Sequence, residues 1–204
     1  MVILSKESAE LMGMMFGDGC LSRSGNKHFV YLCGHKIDDF EYHSNVTKRL
    51  FKELFDKDIK IHFRTRENTL YIKFSDAAIF NQIKSFGMPV GKKYANLKMP
   101  RWLHEDLFLF AFLRGLFDTD GCVVLSKQHK KIKYYPRLEI ASKSKTFLLD
   151  ILKKLREKGF YGSVSVKGDC YRLELPGFNN LSLWMTCIGM KNSKHIRKIT
   201  PKLL

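Results

Sequence analysis

Two aspartates occupy matching places in a repeated phrase. Residues 11–19 read Leu-Met-Gly-Met-Met-Phe-Gly-Asp-Gly, and residues 113–121 read Leu-Arg-Gly-Leu-Phe-Asp-Thr-Asp-Gly. Asp18 and Asp120 are 102 positions apart in a chain of 204. Each closes an apolar, helix-like run. The C-terminal end of a helix is partially negative, so a carboxylate there is disfavoured by ~0.3–1 kcal/mol. A bound cation reverses that preference, because it attracts both the carboxylate and the free terminal carbonyls. Gly19 and Gly121 are expected to act as left-handed caps that turn the chain into a strand. Gly13 and Gly17, and likewise Gly115 and Thr119, are small residues four apart, a spacing that lets two helix backbones approach closely. If the two helices pair, both acids converge at one end. One Asp-Gly alone is a common turn. The duplicated pair on a basic chain points to paired metal chemistry on a two-fold polyanion, duplex DNA.

Composition supports that partner. The chain carries 36 Lys and Arg against 20 Asp and Glu, a formal charge of +16. Such an excess points first to nucleic acid and second to an anionic membrane. Its 45% hydrophobic content supports a real core and argues against disorder. No apolar run approaches the roughly 18 residues of a spanning helix, and the N-terminus does not resemble a signal peptide. The five cysteines form no Cys-x-x-Cys pair and read as reduced thiols rather than a disulfide frame or zinc site. The expected location is intracellular: cytoplasmic, or the matrix of an organelle.

The elements that must position the acids also repeat. Residues 1–91 form the expected first half, 92–105 a Lys- and Pro-rich linker, and 106–204 the second half. In the first half, a helix over 8–17 is followed by strands at 20–24 and 27–34. A helix over 38–55 then presents Phe40, Val46, Leu50 and Leu54 on its apolar face. A second hairpin pairs 59–65 with 69–75, and a helix covers 76–86. In the second half, the corresponding segments are 105–118, 122–127, 132–142, 145–158, 161–167, 170–175 and a last long helix over 178–188. The tails match too: Phe86-Gly87-Met88 corresponds to Ile188-Gly189-Met190, and Pro100 to Pro201. The predicted fold is α+β, two pseudo-symmetric αββαββα halves with a saddle of two antiparallel sheets.

The strands alternate in a way that supplies a binding face. In residues 59–66, Lys60, His62, Arg64 and Arg66 fall on one side and Ile59, Ile61, Phe63 and Thr65 on the other. Tyr71 and Lys73 continue the polar face, and Arg23 and His28 are candidates on the first hairpin. In the second half, Lys131, Lys133, Tyr135, Arg137 and Glu139 share one parity, extended by Lys167 and Arg172. Lys127 and Lys130 lie near the tip of the long hairpin, where Lys130 and Lys131 would hold phosphates. A two-stranded ribbon fits the major groove, where Arg reads guanine through paired hydrogen bonds. Affinity should fall steeply with salt.

Both nonamers resemble the LAGLIDADG motif of homing endonucleases, and the resemblance extends over essentially the whole chain. It implies a monomer with two motif copies, whose motif helices form the interface between halves. It also implies that Asp18 and Asp120 bind divalent metal at paired scissile phosphates, with the carbonyls of Gly17 and Thr119 as further ligands. The implied cofactor is Mg2+, two or three ions. Phe16 stands where the motif has its earlier acid, a position that is not a metal ligand; Asp118 fills that position in the second copy. Lys36 and Lys143 follow the second strand of each half, and the resemblance implies that such lysines help stabilise charge at the phosphates. The implied activity is Mg-dependent, site-specific cleavage of double-stranded DNA at a long, asymmetric target, leaving 5′ phosphates and short 3′ overhangs. The alternatives are an intron maturase that binds intron RNA and a DNA-binding regulator without catalysis. The Met start and the lack of intein-type ends suggest a free-standing, intron-encoded protein, similar to archaeal and organellar members.

Overall fold

The computed structural model describes residues 3–93, 97–129 and 132–203, with side chains throughout except at 127–129, 132 and 201–203. Helix α1 (Lys6–Gly17) is opened by a reciprocal cap. Ser5 Oγ accepts from the Ser8 amide at 3.2 Å, and Ser8 Oγ accepts from the Ser5 amide at 2.8 Å. β1 (Gly19–Ser24) and β2 (Lys27–His35) follow as a hairpin through a left-handed Gly25. β3 (His62–Phe63), β4 (Thr69–Ser75) and α4 (Ala77–Ser85) end the first half, after α2 (Phe40–Tyr42) and α3 (Lys48–Phe55). The second half runs α5 (Asp106–Asp120), β5 (Gly121–His129), β6 (Ile132–Ser142), α6 (Lys145–Glu157), β7 (Ser163–Lys167), β8 (Cys170–Pro176), α7 (Phe178–Cys187) and α8 (Ser193–Leu203).

The two sheets have the same antiparallel topology, with strand orders β1-β2-β4-β3 and β5-β6-β8-β7. The register repeats as well: Cys20 faces Tyr31 in the first half where Cys122 faces Glu139 in the second. Each sheet packs its Leu, Ile and Val face on helices and leaves the other face open, which makes the predicted saddle. The core is continuous between halves. Phe16 meets Phe112 edge-on at 5.2 Å and Phe147 at 5.8 Å, all three essentially inaccessible to solvent. Burying each such ring contributes ~1.5–3 kcal/mol.

Three expectations are corrected. The helix expected over 38–55 begins at Phe40 and passes through a π-helical turn, His43–Thr47. That turn rephases the apolar face: Tyr42, His43, Thr47, Leu50 and Phe51 are buried while Phe40 is exposed. His43 fills the space that a side chain at Gly34 would take, its Nε2 only 2.7 Å from a Cβ built there. The strand expected over 59–65 shortens to His62–Phe63, an edge strand in which Phe63 stays exposed against Phe40. The helix over 178–188 is not the last long one, since α8 follows it. Pro201, matched in sequence to Pro100, lies within the last turn of α8.

Candidate active site and nucleic-acid interface

α1 and α5 lie against each other through their glycines. A Cβ at Gly13 would run into the Phe112 carbonyl and lie 2.8 Å from the Leu116 amide; one at Gly115 would run into the Glu10 carbonyl. The contact is reciprocal, as a two-fold axis requires. Further along, Thr119 Oγ1 occupies the space a Gly17 side chain would need, and Asp120 Cγ lies 3.5 Å from that same point. The two motif ends therefore converge. Gly19 and Gly121 contribute differently from the expectation. Neither has a positive φ. Their need for glycine is spatial: a Cβ at Gly19 would sit 2.5 Å from Met15 Cα, and one at Gly121 would meet the Phe117 ring.

Convergence raises the affinity of both acids for positive charge. The Asp18 carboxyl is pushed up by burial, then by the Asp120 and Asp39 carboxylates beside it. Asp120 is pushed up by burial, against the pull of Lys93 and Lys194. Those two lysines take up the motif carbonyls. Lys93 Nζ donates to the Gly17 carbonyl and to that of Phe16 at 3.0 Å. Lys194 Nζ donates to the Thr119 carbonyl at 3.4 Å and to Asp39 Oδ1 at 2.8 Å. Two ammonium groups thus stand at the two carbonyls expected as metal ligands. Burial pushes Lys93 down, opposed by Asp120 and Asp18.

The donor set fits a hard divalent cation. It offers two carboxylates and two main-chain carbonyls, all oxygen, as Mg2+, Mn2+ or Ca2+ prefer. No cluster of three or more His, Cys, Asp or Glu able to hold a metal occurs among the described residues. A cavity of about 540 Å³ opens at the site, lined by Phe16, Gly17, Cys20, Lys93, Asp120 and Lys143 among others.

Lys143 therefore reaches the site, paired there with Asp169 at 2.8 Å. Lys36 does not line the cavity; its Nζ lies 5.7 Å over the Phe63 ring. Sequence reasoning missed Lys93, Lys194 and Asp39. The matched tails carried a signal, because a lysine follows each of them, five residues after Met88 and four after Met190. Asp118 is fully buried and structural: it accepts from the Lys191 and Asn192 amides at 2.9 and 3.2 Å. Burial nevertheless pushes it up to about 7. Asn192 Nδ2 bridges the Asp118 carbonyl at 2.9 Å and Asp39 Oδ1 at 2.8 Å, tying the tail of the second half to the first half.

The open sheet faces carry most of the expected contacts. Tyr31, Tyr71 and His62 stack in a row, at 6.0 Å and 5.3 Å between centroids, with Arg64 donating to the Tyr31 hydroxyl at 3.3 Å. Lys60 and Arg66 are exposed, and Lys73 lies 4.7 Å over the Phe29 ring. Arg23 and His28 depart from the expectation. They pair across β1 and β2 on the parity of the core residues Leu21 and Val30, and both pack against Phe80 on the helix side. On the second sheet, Lys133 and Lys167 are exposed, and Tyr135 packs edge-on to Phe178 at 6.0 Å. Glu139 is a second departure: only 3% exposed, it is no free contact but the shared partner of Arg137 and Arg172. Lys130 and Lys131 lie outside the described residues, as does the side chain of Lys127. No helix among the described residues is long and apolar enough to cross a membrane.

Comparison with known proteins agrees with this geometry. The LAGLIDADG-like domain family matches residues 107–181. The homing endonuclease I-DmoI, in complex with DNA and Mn, superposes with a TM-score of 0.64 at 20% identity, covering 90% of this chain and 96% of that one. Full-length DUF199/WhiA from Thermatoga maritima gives 0.64 at 18% identity, covering 100% of this chain and 64% of that one. In sequence, the chain is 27% identical over 197 residues to the replication factor C small subunit of Methanocaldococcus jannaschii, covering 96% of this chain but 10% of that protein. The chain spans 10–20% of the length of the curated relatives it matches.

Proposed function

From a LAGLIDADG-type fold of two domains in one chain, we propose that this protein is a divalent-metal-dependent, site-specific endonuclease of double-stranded DNA. One observation carries the reading: two acids held at the joined ends of α1 and α5, with a lysine ammonium already standing at the carbonyl before each. The same fold occurs in DUF199/WhiA as well as in a homing endonuclease. The fold alone therefore does not bring cleavage. The retained pair Asp18 and Asp120 does.

In this reading, Asp18, Asp120 and the carbonyls of Gly17 and Thr119 hold Mg2+ or a similar ion, two or three in number. When bound, such ions lower the pKa of the attacking water and neutralise charge on the scissile phosphates. Asp18 and Asp120 fix one site per DNA strand, because the pseudo-two-fold axis between the helices matches the axis between strands. Lys93 and Lys194, which stand at those carbonyls, would bring positive charge to the phosphate oxygens. Lys143 adds a third cation at the cavity. The open sheets lie in successive major grooves, with Lys60, Arg66, Lys73, Lys133 and Lys167 supplying phosphate and base contacts. The unequal halves select a long, asymmetric target, and the products carry 5′ phosphates and short 3′ overhangs.

The aromatic residues favour duplex over unstacked RNA. Tyr71 is stacked with both Tyr31 and His62, so its ring is engaged within the sheet rather than free as a platform for an unstacked base. The testing experiment is cleavage of a randomised duplex library in Mg2+, with the cut ends sequenced. A long recovered site with fixed 3′ overhangs supports the reading. Salt-sensitive duplex binding without cut ends would replace it with that of a DNA-binding regulator.

A further inference from the structure

The second sheet contains a charge arrangement that the first lacks. Glu139, on β6, is buried, and each of its carboxylate oxygens is taken by a different arginine. Arg137 Nε donates to Oε1 at 2.6 Å, and Arg172 Nη1 donates to Oε2 at 2.6 Å. The residues come from adjacent strands: Glu139 faces Glu174 across β6 and β8, and Arg172 faces Ala141 two residues along, on the same face. Two guanidinium groups are thereby held side by side on the open face by one carboxylate, with Arg137 Nη1 and Arg172 Nη2 uncommitted among the described residues.

A buried counter-charge suits base reading better than phosphate binding. The three groups sum to +1, so as phosphate contacts the arginines would lose part of their attraction. What the carboxylate supplies is orientation. An unheld Arg side chain gives up rotamer freedom when it engages a base edge, whereas a held one has already given it up. Planar guanidinium donors in fixed positions match O6 and N7 of guanine in the major groove.

The pseudo-symmetry assigns the asymmetry. Glu139 stands opposite Cys122, two residues after Asp120; in the first half, Tyr31 stands opposite Cys20, two residues after Asp18. Arg172 stands opposite Ala141 where Tyr71 stands opposite Cys33. Arg137, opposite Val124, takes the place of Phe29, opposite Ser22. Beside the two motif acids, one half therefore presents two guanidiniums where the other presents the rings of Phe29 and Tyr71. Resting on the DNA-binding reading above, we propose that Glu139 is the positioning residue of a guanine-reading subsite formed by Arg137 and Arg172. This subsite makes the inner base pairs of one half-site guanine-dependent while their counterparts in the other half are not.

The test is the base preference of wild type, Glu139→Gln and Arg172→Lys, selected by binding and by cutting from a randomised duplex library. The wild type is expected to require G, on either strand, at one or two inner positions of one half-site only, by ~10-fold or more over other bases. Arg172→Lys keeps the charge but loses the planar fork, and is expected to lose the preference at one of those positions. Glu139→Gln is expected to flatten the preference at all of them while binding random duplex at least as tightly as wild type, because a negative charge is removed. A merely structural role would weaken binding without changing which base is chosen. If Glu139→Gln does not fold, Arg172→Lys decides alone. An unchanged base preference in the variants, or inner positions without a G, overturns the inference and leaves DNA recognition standing. A wild type that selects no duplex sequence overturns the DNA reading itself.

Discussion

The ammonium of Lys93 rests on the main-chain carbonyl of Gly17, the residue immediately before Asp18. Lys194 stands in the matching relation to Thr119, before Asp120. The ends of the motif helices, negative by dipole and by carboxylate, are thus compensated by one lysine from the segment between the halves and one from the tail of the second half. In the proposed reaction the Gly17 and Thr119 carbonyls would hold metal, and the two lysines beside them would supply positive charge to the phosphates. Lys93→Met and Lys194→Met are each expected to slow single-turnover cleavage by ~10²-fold, the scale of losing one fixed electrostatic donor, with DNA affinity changed far less. Rates with and without saturating enzyme separate the two effects. Cleavage at wild-type rates in both variants would remove the lysines from the mechanism.

The reciprocal glycine contact makes the interface intolerant of a single methyl group. Gly13→Ala and Gly115→Ala each place a Cβ against main-chain atoms of the facing helix, and backbone cannot move aside as a flexible side chain can. Each is expected to cost ~1–3 kcal/mol or more, read as a lowered urea midpoint. Gly168 is left-handed with nothing within 4 Å of its Cβ position, so Gly168→Asn should cost much less. Equal effects in all three variants would argue against the close approach.

Much of this was legible in the residues. The repeat fixed the order of elements, the pairing of α1 with α5 and the convergence of Asp18 and Asp120, because small residues four apart and an apolar run followed by Asp-Gly have local causes. The symmetric tails were legible too: Gly87 and Gly189 both have positive φ, at 103° and 74°. Other features depend on distant parts of the chain. The π-helical turn at His43–Thr47 answers to Gly34 on a neighbouring strand. Arg23 fell on the helix side because its parity is that of Leu21. Glu139 read as a surface acid among cations, and only the strand register shows that both arginines close on it. Lys93 sat in what read as linker.

Two histidines should make the fold acid-sensitive. Burial pushes His43 down to about 4 and His195 down to about 3, and the His195 ring packs 4.8 Å from that of Phe117. The unfolded chain protonates these rings near the usual 6.5. As pH falls below that value, the unfolded state binds more protons and stability is lost, down to the folded values. The buried carboxyls Asp18 and Asp118, pushed up, act in the opposite direction. The histidine effect is therefore read as a difference. Relative to His195→Phe, the wild type should lose up to ~1.4 kcal/mol per pH unit below about pH 6. Parallel stability–pH curves for the two proteins would contradict the buried, neutral ring.

Asn192 joins the halves through hydrogen bonds to Asp118 and Asp39, and it is fully buried. Asn192→Ala leaves two buried acceptors without that donor and should cost ~1–3 kcal/mol. Asp39 also holds Lys194, so cleavage should fall more than stability alone accounts for. Thermal melts alongside cleavage rates at a temperature well below the transition test both parts.

The most direct test of the central claim is double-strand cleavage in Mg2+ by the wild type, Asp18→Asn and Asp120→Asn, on a duplex recovered from the library selection. Asn keeps the shape of each side chain and removes its charge. The predicted result is a clean double-strand cut by the wild type, none by either variant, and comparable binding of the same duplex by all three. Full double-strand cleavage by either variant would contradict the assignment of the two acids as the paired catalytic centre.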